Sequence, residues 1–164
     1  MSDDIGKKAE KKLKEWLDRP EDGYSFDRIK DQMTGFYGSK NICDFTLFKS
    51  PYQYYIESKS TENSRFDFSM ITDYQYESLL KKSCIRGCYG LIVILFASHK
   101  RAFIIDIETI KSIYEHGKKS INIDKIDSWD FPYCELQTIP NSRKHLLDYE
   151  GPIEQFIPIK RWNT

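Results

Sequence analysis

The chain alternates segments of helical and strand periodicity. At about 100° per residue, Ile5, Ala9, Leu13, Trp16 and Leu17 fall on one face, while Lys7, Lys11, Lys14 and Glu15 fall mainly elsewhere. This predicts an amphipathic helix over residues 5–17. Glu10 projects beside Leu17 at the border of the apolar stripe, whereas Glu15 points to solvent, so Glu10 is the helix acid that can reach an interior site. The plainer reading of Glu10 is a surface charge paired with a lysine one turn away. The Arg19-Pro20-Glu21-Asp22-Gly23 segment has turn chemistry and ends the helix. Residues 24–38 mix a weak helical period with Gly35 and Gly38 and are expected to be irregular. Their aromatics Phe26, Phe36 and Tyr37 suit either packing against the core or stacking on nucleic acid.

Residues 42–48 alternate as a strand, Pro51 marks a turn, and residues 52–59 form a second strand. Polar Ser60 to Arg65 breaks the pattern, and Phe66-Asp67-Phe68 reads as short and extended. Thr72 or Asp73 suits the N-cap of a helix running to about Lys82 that carries Gln75. Gly90 to Ala97 is the most apolar run and β-branched at its centre, which predicts the central buried strand. His99-Lys100-Arg101 turns the chain into Ala102 to Ile105, giving a hairpin, and Asp106 caps a helix over residues 108–116. Beyond Gly117 the order is less regular, with a short helix expected after Pro140-Asn141-Ser142 and ending near Tyr149. The resulting class is α/β, a mixed central sheet flanked by helices.

Composition narrows the function. A chain of 164 residues with 40% hydrophobic and 15% aromatic residues supports one folded domain over residues 1–164 and excludes a disordered protein. No apolar run approaches a membrane span and the first residues lack the apolar core of a signal peptide, so a soluble cytoplasmic protein without membrane association is expected. The 25 basic residues equal the 25 acidic ones, which excludes a generally basic nucleic-acid binder. Any phosphate-binding surface is then local, and its candidates are Lys7 and Lys11 on the first helix, Arg28, Lys30 and Lys40, and Lys81 and Lys82. Their plainer reading is a solvated face.

Cys43, Cys84, Cys88 and Cys134 are expected to be reduced thiols. With no CxxC pair and no histidine nearby, small buried hydrophobes explain them better than a metal site. His99, His116 and His145 are scattered, so a histidine metal site or a Ser-His-Asp arrangement has no support. The absence of a glycine-rich phosphate loop argues against an NTPase.

The chemistry concentrates between Asp44 and Lys59. Residues two apart on a strand share a face, so Glu57 and Lys59 lie side by side while Ser58 faces away. A chain reversal near Pro51 returns Asp44 beside them. Two carboxylates and an ammonium at one point suit phosphodiester hydrolysis: Asp44 and Glu57 as hard oxygen ligands for Mg²⁺, Lys59 to orient water or offset developing charge. A surface cross-strand ion pair is the competing reading.

The pattern D-x(12)-E-x-K, on consecutive strands after a helix with Glu10, resembles the PD-(D/E)xK nuclease superfamily, with Cys43 where that motif has proline. Gly6-x-x-x-Glu10, the Asp44 to Glu57 spacing, the polar run after Lys59, Tyr74-Gln75-Tyr76-Glu77, GLIVILFASHKRAFIIDI and Lys118-Lys119-Ser120-Ile121 together resemble the RecU family of Holliday junction resolvases. That resemblance implies a homodimer of bacterial or phage-infected cells that cuts four-way DNA junctions symmetrically with Mg²⁺, Mn²⁺ being a substitute. It also implies that Asp44, Glu57 and Glu10 serve the metal, that Lys59 is the catalytic lysine, and that Gln75 is a further catalytic-site residue. The family carries a longer stalk before its metal aspartate, so residues 24–41 are expected to be a shortened stalk or DNA-contacting segment. A restriction-type duplex endonuclease and a non-catalytic DNA-binding module of the same fold are the alternatives.

Overall fold

A computed structural model describes residues 2–30, 40–140 and 147–153. It begins with helix α1 (Ser2–Leu17), whose Ala9, Leu13, Trp16 and Leu17 are buried as the periodicity requires. A 3-10 turn at Pro20–Asp22 and Gly23, whose φ of 82° favours glycine, end this segment. Strands β1 (Ser25–Arg28), β2 (Phe45–Lys49) and β3 (Tyr52–Thr61) follow, then the short β4 (Arg65–Asp67). Helix α2 (Asp73–Ser83), strands β5 (Cys88–Phe96) and β6 (Arg101–Asp106) and helix α3 (Ile107–Glu115) complete the centre of the fold. Four short strands close it: β7 (Ser120–Asn122), β8 (Cys134–Glu135), β9 (Thr138–Pro140) and β10 (Leu147–Tyr149).

The main sheet runs β1-β2-β3-β5-β6-β8, with β4 paired to β7 and β9 to β10 in two small ribbons. Within the main sheet only β3 and β5 are parallel, and the other four pairings are antiparallel. Parallel neighbours need a crossover rather than a tight turn, and α2 lies on that connection. This is why the helix carrying Gln75 is delivered next to the strand carrying Glu57.

Both faces of the sheet are covered. The α1 stripe packs with Leu47, Tyr54, Ile56, Leu91, Val93 and Leu95 on one side. Leu79 of α2 and Ile107, Ile110 and Ile113 of α3 pack with Ile92, Ile94, Phe96, Phe103 and Ile105 on the other. Strand β5 feeds alternate side chains into both layers, which explains its uninterrupted apolar run. Gly90 belongs to this fit, because a Cβ there would lie 2.9 Å from the Leu79 carbonyl oxygen and 3.0 Å from Ile107 Cγ2.

Four local expectations are corrected. Residues 25–28 form an edge strand rather than irregular chain, because Phe26 packs on Phe45 with ring centroids 5.2 Å apart and Tyr24 is buried. The strand expected from Ile42 starts at Phe45, which leaves Asp44 just ahead of it. Strand β3 continues through Ser60 to Thr61, past the expected polar break, because pairing with β5 extends to Thr61 against Phe96. Residues 147–149 are strand β10 rather than the end of a helix, held by pairing with β9 and by Tyr149 packing on Trp16 at 5.6 Å. Gly35, Phe36, Tyr37, Gly38 and His145 lie outside the described residues.

Candidate active site

Asp44 occupies the point where β2 gives way. Its N–H donates to the Ile56 carbonyl at 3.1 Å, and its carbonyl accepts from the Ile29 N–H at 2.8 Å, so its backbone is held between β1 and β3. The Ser58 N–H points to the same side of β3 as the Ile56 carbonyl. With β2 not extending that far, the Asp44 carboxylate takes this donor, Oδ2 accepting at 2.9 Å. A backbone-fixed carboxylate thereby stands beside Glu57 and Lys59.

Glu57 and Lys59 share one face of β3, and Lys59 Nζ lies 3.0 Å from Glu57 Oε1. Glu57 is almost fully buried, at 3% exposure. Its environment argues against an ordinary surface ion pair, since an exposed pair would not desolvate its acid. Burial and then the neighbouring Asp44 raise the Glu57 carboxyl to about 7, against the pull of Lys59 and Gln75. Asp44 is also raised by burial, opposed by the Ser58 N–H and by the charges of Lys59 and Arg28. Two carboxyl groups crowded this closely cannot both ionise cheaply, so burial and mutual repulsion raise the pair.

Gln75 enters from α2 through a capping box. The Gln75 N–H donates to Thr72 Oγ1 at 3.1 Å, and Gln75 Oε1 accepts from the Thr72 N–H at 3.3 Å. The same Oε1 accepts from Lys59 Nζ at 3.4 Å. One glutamine therefore closes the helix and steadies the lysine. Beneath the acids lies Cys43, buried, with its thiol donating to the Phe45 carbonyl at 3.2 Å and pushed up to about 12 by burial and then by Glu57.

The residues fit a divalent cation. Glu57 Oε2 is buried without a hydrogen-bond partner. Such an oxygen costs about 1–3 kcal/mol unless something satisfies it, and a cation between it and Asp44 would do so with hard oxygen ligands. Glu10 is not convergent with the pair: among the described residues no group of three or more His, Cys, Asp or Glu side chains comes together. Its Oε2 lies instead 2.9 Å from Arg28 Nη2.

Of the basic residues expected on a DNA surface, Arg28 lies beside this site and Lys82 Nζ sits 5.2 Å from the Tyr55 ring centroid, on the face of β3 that carries Glu57. Lys7, Lys11, Lys30, Lys40 and Lys81 are exposed on the flanking elements. The sequence reading missed the Arg28 link to Glu10, because residues 25–28 were not expected to be a strand. It also missed the Ser58 N–H, which no side-chain pattern can reveal; the capping box of Thr72 and Gln75 was there to be read.

A mixed sheet flanked by helices, with an aspartate just ahead of β2 and a Glu-x-Lys triplet on the adjoining β3, is a PD-(D/E)xK nuclease-like fold. The chain matches the model of RecU, recombination protein U, over residues 23–154, and it belongs to that family. The match begins after the helix that carries Glu10. Among solved structures, Hjc of Archaeoglobus fulgidus, a Holliday junction resolvase from an archaeal hyperthermophile, aligns at 14% identity over 63% of this chain and 78% of that one, with a TM-score of 0.46. No curated protein matches the sequence significantly. Among the described residues no helix is long and apolar enough to cross a membrane.

Proposed function

We propose that this chain is a Mg²⁺-dependent, structure-selective endodeoxyribonuclease that resolves Holliday junctions. In this reading it acts as a homodimer in the cytoplasm of a bacterial or phage-infected cell, and each protomer cuts one of two symmetric strands. Membership of the recombination protein U family supports the substrate class. The observation that carries the chemistry is the buried Asp44 and Glu57 pair with its partnerless Glu57 oxygen and Lys59 at 3.0 Å.

Asp44 and Glu57 would hold Mg²⁺ or Mn²⁺. When bound, the ion supplies Lewis acidity toward the phosphate and acidifies water. Asp44 and Glu57 would serve such an ion as carboxylates, so its binding would favour the ionised form of the pair. Lys59, held by Glu57 Oε1 and Gln75 Oε1, is limited to a narrow range of positions. From there its ammonium can orient the attacking water and offset charge building on the phosphoryl oxygens. Gln75 acts through Lys59 and is a positioning residue. Arg28, Lys82 and the exposed lysines would meet the DNA backbone, a sequence-independent attraction suited to an enzyme that selects shape.

The deciding experiment incubates the protein with a synthetic four-way junction and Mg²⁺, beside a linear duplex control. Paired symmetric nicks are expected, abolished in Glu57→Ala and by chelation. Absence of cleavage of any branched DNA would sink the proposal, and discrete cuts in linear duplex would point to a restriction-type enzyme. Light scattering at working concentration checks the dimer.

A further inference from the structure

In this structure the Glu10 carboxylate pairs with an arginine of the neighbouring edge strand. Arg28 is the last residue of the edge strand β1, and the register sets it opposite Phe45, the residue after Asp44. The next N–H along, that of Ile29, donates to the Asp44 carbonyl at 2.8 Å. The backbone under Arg28 is thus pinned beside Asp44, and the guanidinium reaches across to α1, where Nη2 lies 2.9 Å from Glu10 Oε2. One cation therefore stands next to both the helix acid and the strand acid, and its charge helps hold the Asp44 carboxyl down.

The two sides of the pair differ in freedom. The Glu10 side chain is 24% exposed and the Arg28 side chain 58%. Lys59, at 17% side-chain exposure, is fixed against Glu57. Of these two cations, Lys59 is caged and Arg28 can swing out. An exposed ion pair of the Arg28 kind is worth about 1 kcal/mol or less, so a competing divalent charge can displace it.

We infer that Arg28 is a built-in stand-in cation, a positioning residue that holds the Glu10 carboxylate while the metal is absent and yields it when a divalent cation binds. This rests on the metal-site reading above. The exchange follows from charge alone: an ion entering between Asp44 and Glu57 repels the guanidinium and attracts the Glu10 carboxylate.

Calorimetric titration of Mn²⁺ into the DNA-free protein tests the exchange independently of cleavage, using Arg28→Gln, Glu10→Gln and the double variant. Arg28→Gln should bind the ion up to about fivefold more tightly, the ceiling set by an exposed ion pair. Glu10→Gln should bind more weakly, and the gain from Arg28→Gln should vanish in the Glu10→Gln background. An equal gain in both backgrounds would mean that Arg28 only repels the ion at a distance, and would overturn the inference. So would an Arg28→Gln affinity no tighter than wild type. If the wild type binds no Mn²⁺ at all, the metal-site reading fails and takes this inference with it, an outcome distinct from binding without coupling.

Discussion

The Ser58 backbone N–H donates to the Asp44 carboxylate at 2.9 Å, so the first acid of the site is also a structural acceptor on the central strand. Asp44→Asn keeps an oxygen for that donor while removing the charge beside Glu57. The variant is expected to fold with an unchanged or higher Tm by scanning calorimetry. Junction cleavage should fall by roughly 10²–10³-fold, the scale of losing one preorganised electrostatic group. A large drop in Tm would show that the charge, rather than the hydrogen bond, holds β2 and β3 together here.

The buried Glu57 gives the metal-free protein a defined pH response. Its carboxyl is raised from 4.5 to about 7 on folding. Its contribution to stability is therefore fully present below about 4.5 and lost as pH rises through about 7, because folding must then strip solvent from a charge. Urea unfolding in chelator should show stability declining over that interval. Glu57→Gln should flatten this part of the profile, and saturating Mg²⁺ should oppose the decline by binding the ionised form.

Lys59→Met keeps much of the side-chain length and removes the cation that Glu57 Oε1 depends on. The Glu57 carboxyl should move further up, since its ionised form loses a partner, and cleavage should be lost while cation binding persists. Calorimetry with Mn²⁺ beside the junction assay separates those two effects. Loss of cation binding in this variant would instead make Lys59 a structural support of the metal site.

Gln75 has two jobs that substitution can separate. Thr72→Ala removes the cap acceptor and should cost about 1 kcal/mol of stability, with cleavage affected only modestly. Gln75→Ala removes the reciprocal half of the box and the Lys59 contact together, so its cleavage loss should exceed that of Thr72→Ala at similar stability. Equal losses in both variants would assign Gln75 to the helix end alone.

Gly90→Ala tests how α2 is seated. The added methyl would meet the Leu79 carbonyl oxygen at 2.9 Å, and that oxygen belongs to helix backbone that cannot simply rotate away. A cost of about 1–3 kcal/mol is expected from overpacking, measured by chemical unfolding. Cleavage should fall as well, because displacing α2 from β5 carries Gln75 away from Lys59.

Where periodicity is strong and both partners are local, the sequence was sufficient. The α1 stripe, the β5 run and the Asp106 cap follow from spacing, and the Asp106 side chain does accept from the Glu108 N–H at 2.8 Å. The side-by-side placement of Glu57 and Lys59 follows from strand period alone. What could not be read depends on distant pairing. Residues 25–28 become a strand only because β2 offers an edge, and residues 147–149 only because β9 does. Glu10 was expected to serve the metal, and in the metal-free protein its Oε2 lies 2.9 Å from Nη2 of Arg28 on the edge strand β1. Its partner could be found only after the register of β1 was known.

The parallel pairing of β3 with β5 sets Glu57 opposite Ile92 and Lys59 opposite Ile94, both of which are wholly buried. Amides in such a central strand open to exchange with solvent only when the whole sheet does. Deuterium uptake at Glu57 and Lys59 should then be among the slowest in the chain, and thermal inactivation should coincide with global melting rather than precede it. On that expectation the reaction centre is anchored in the last part of the molecule to come apart.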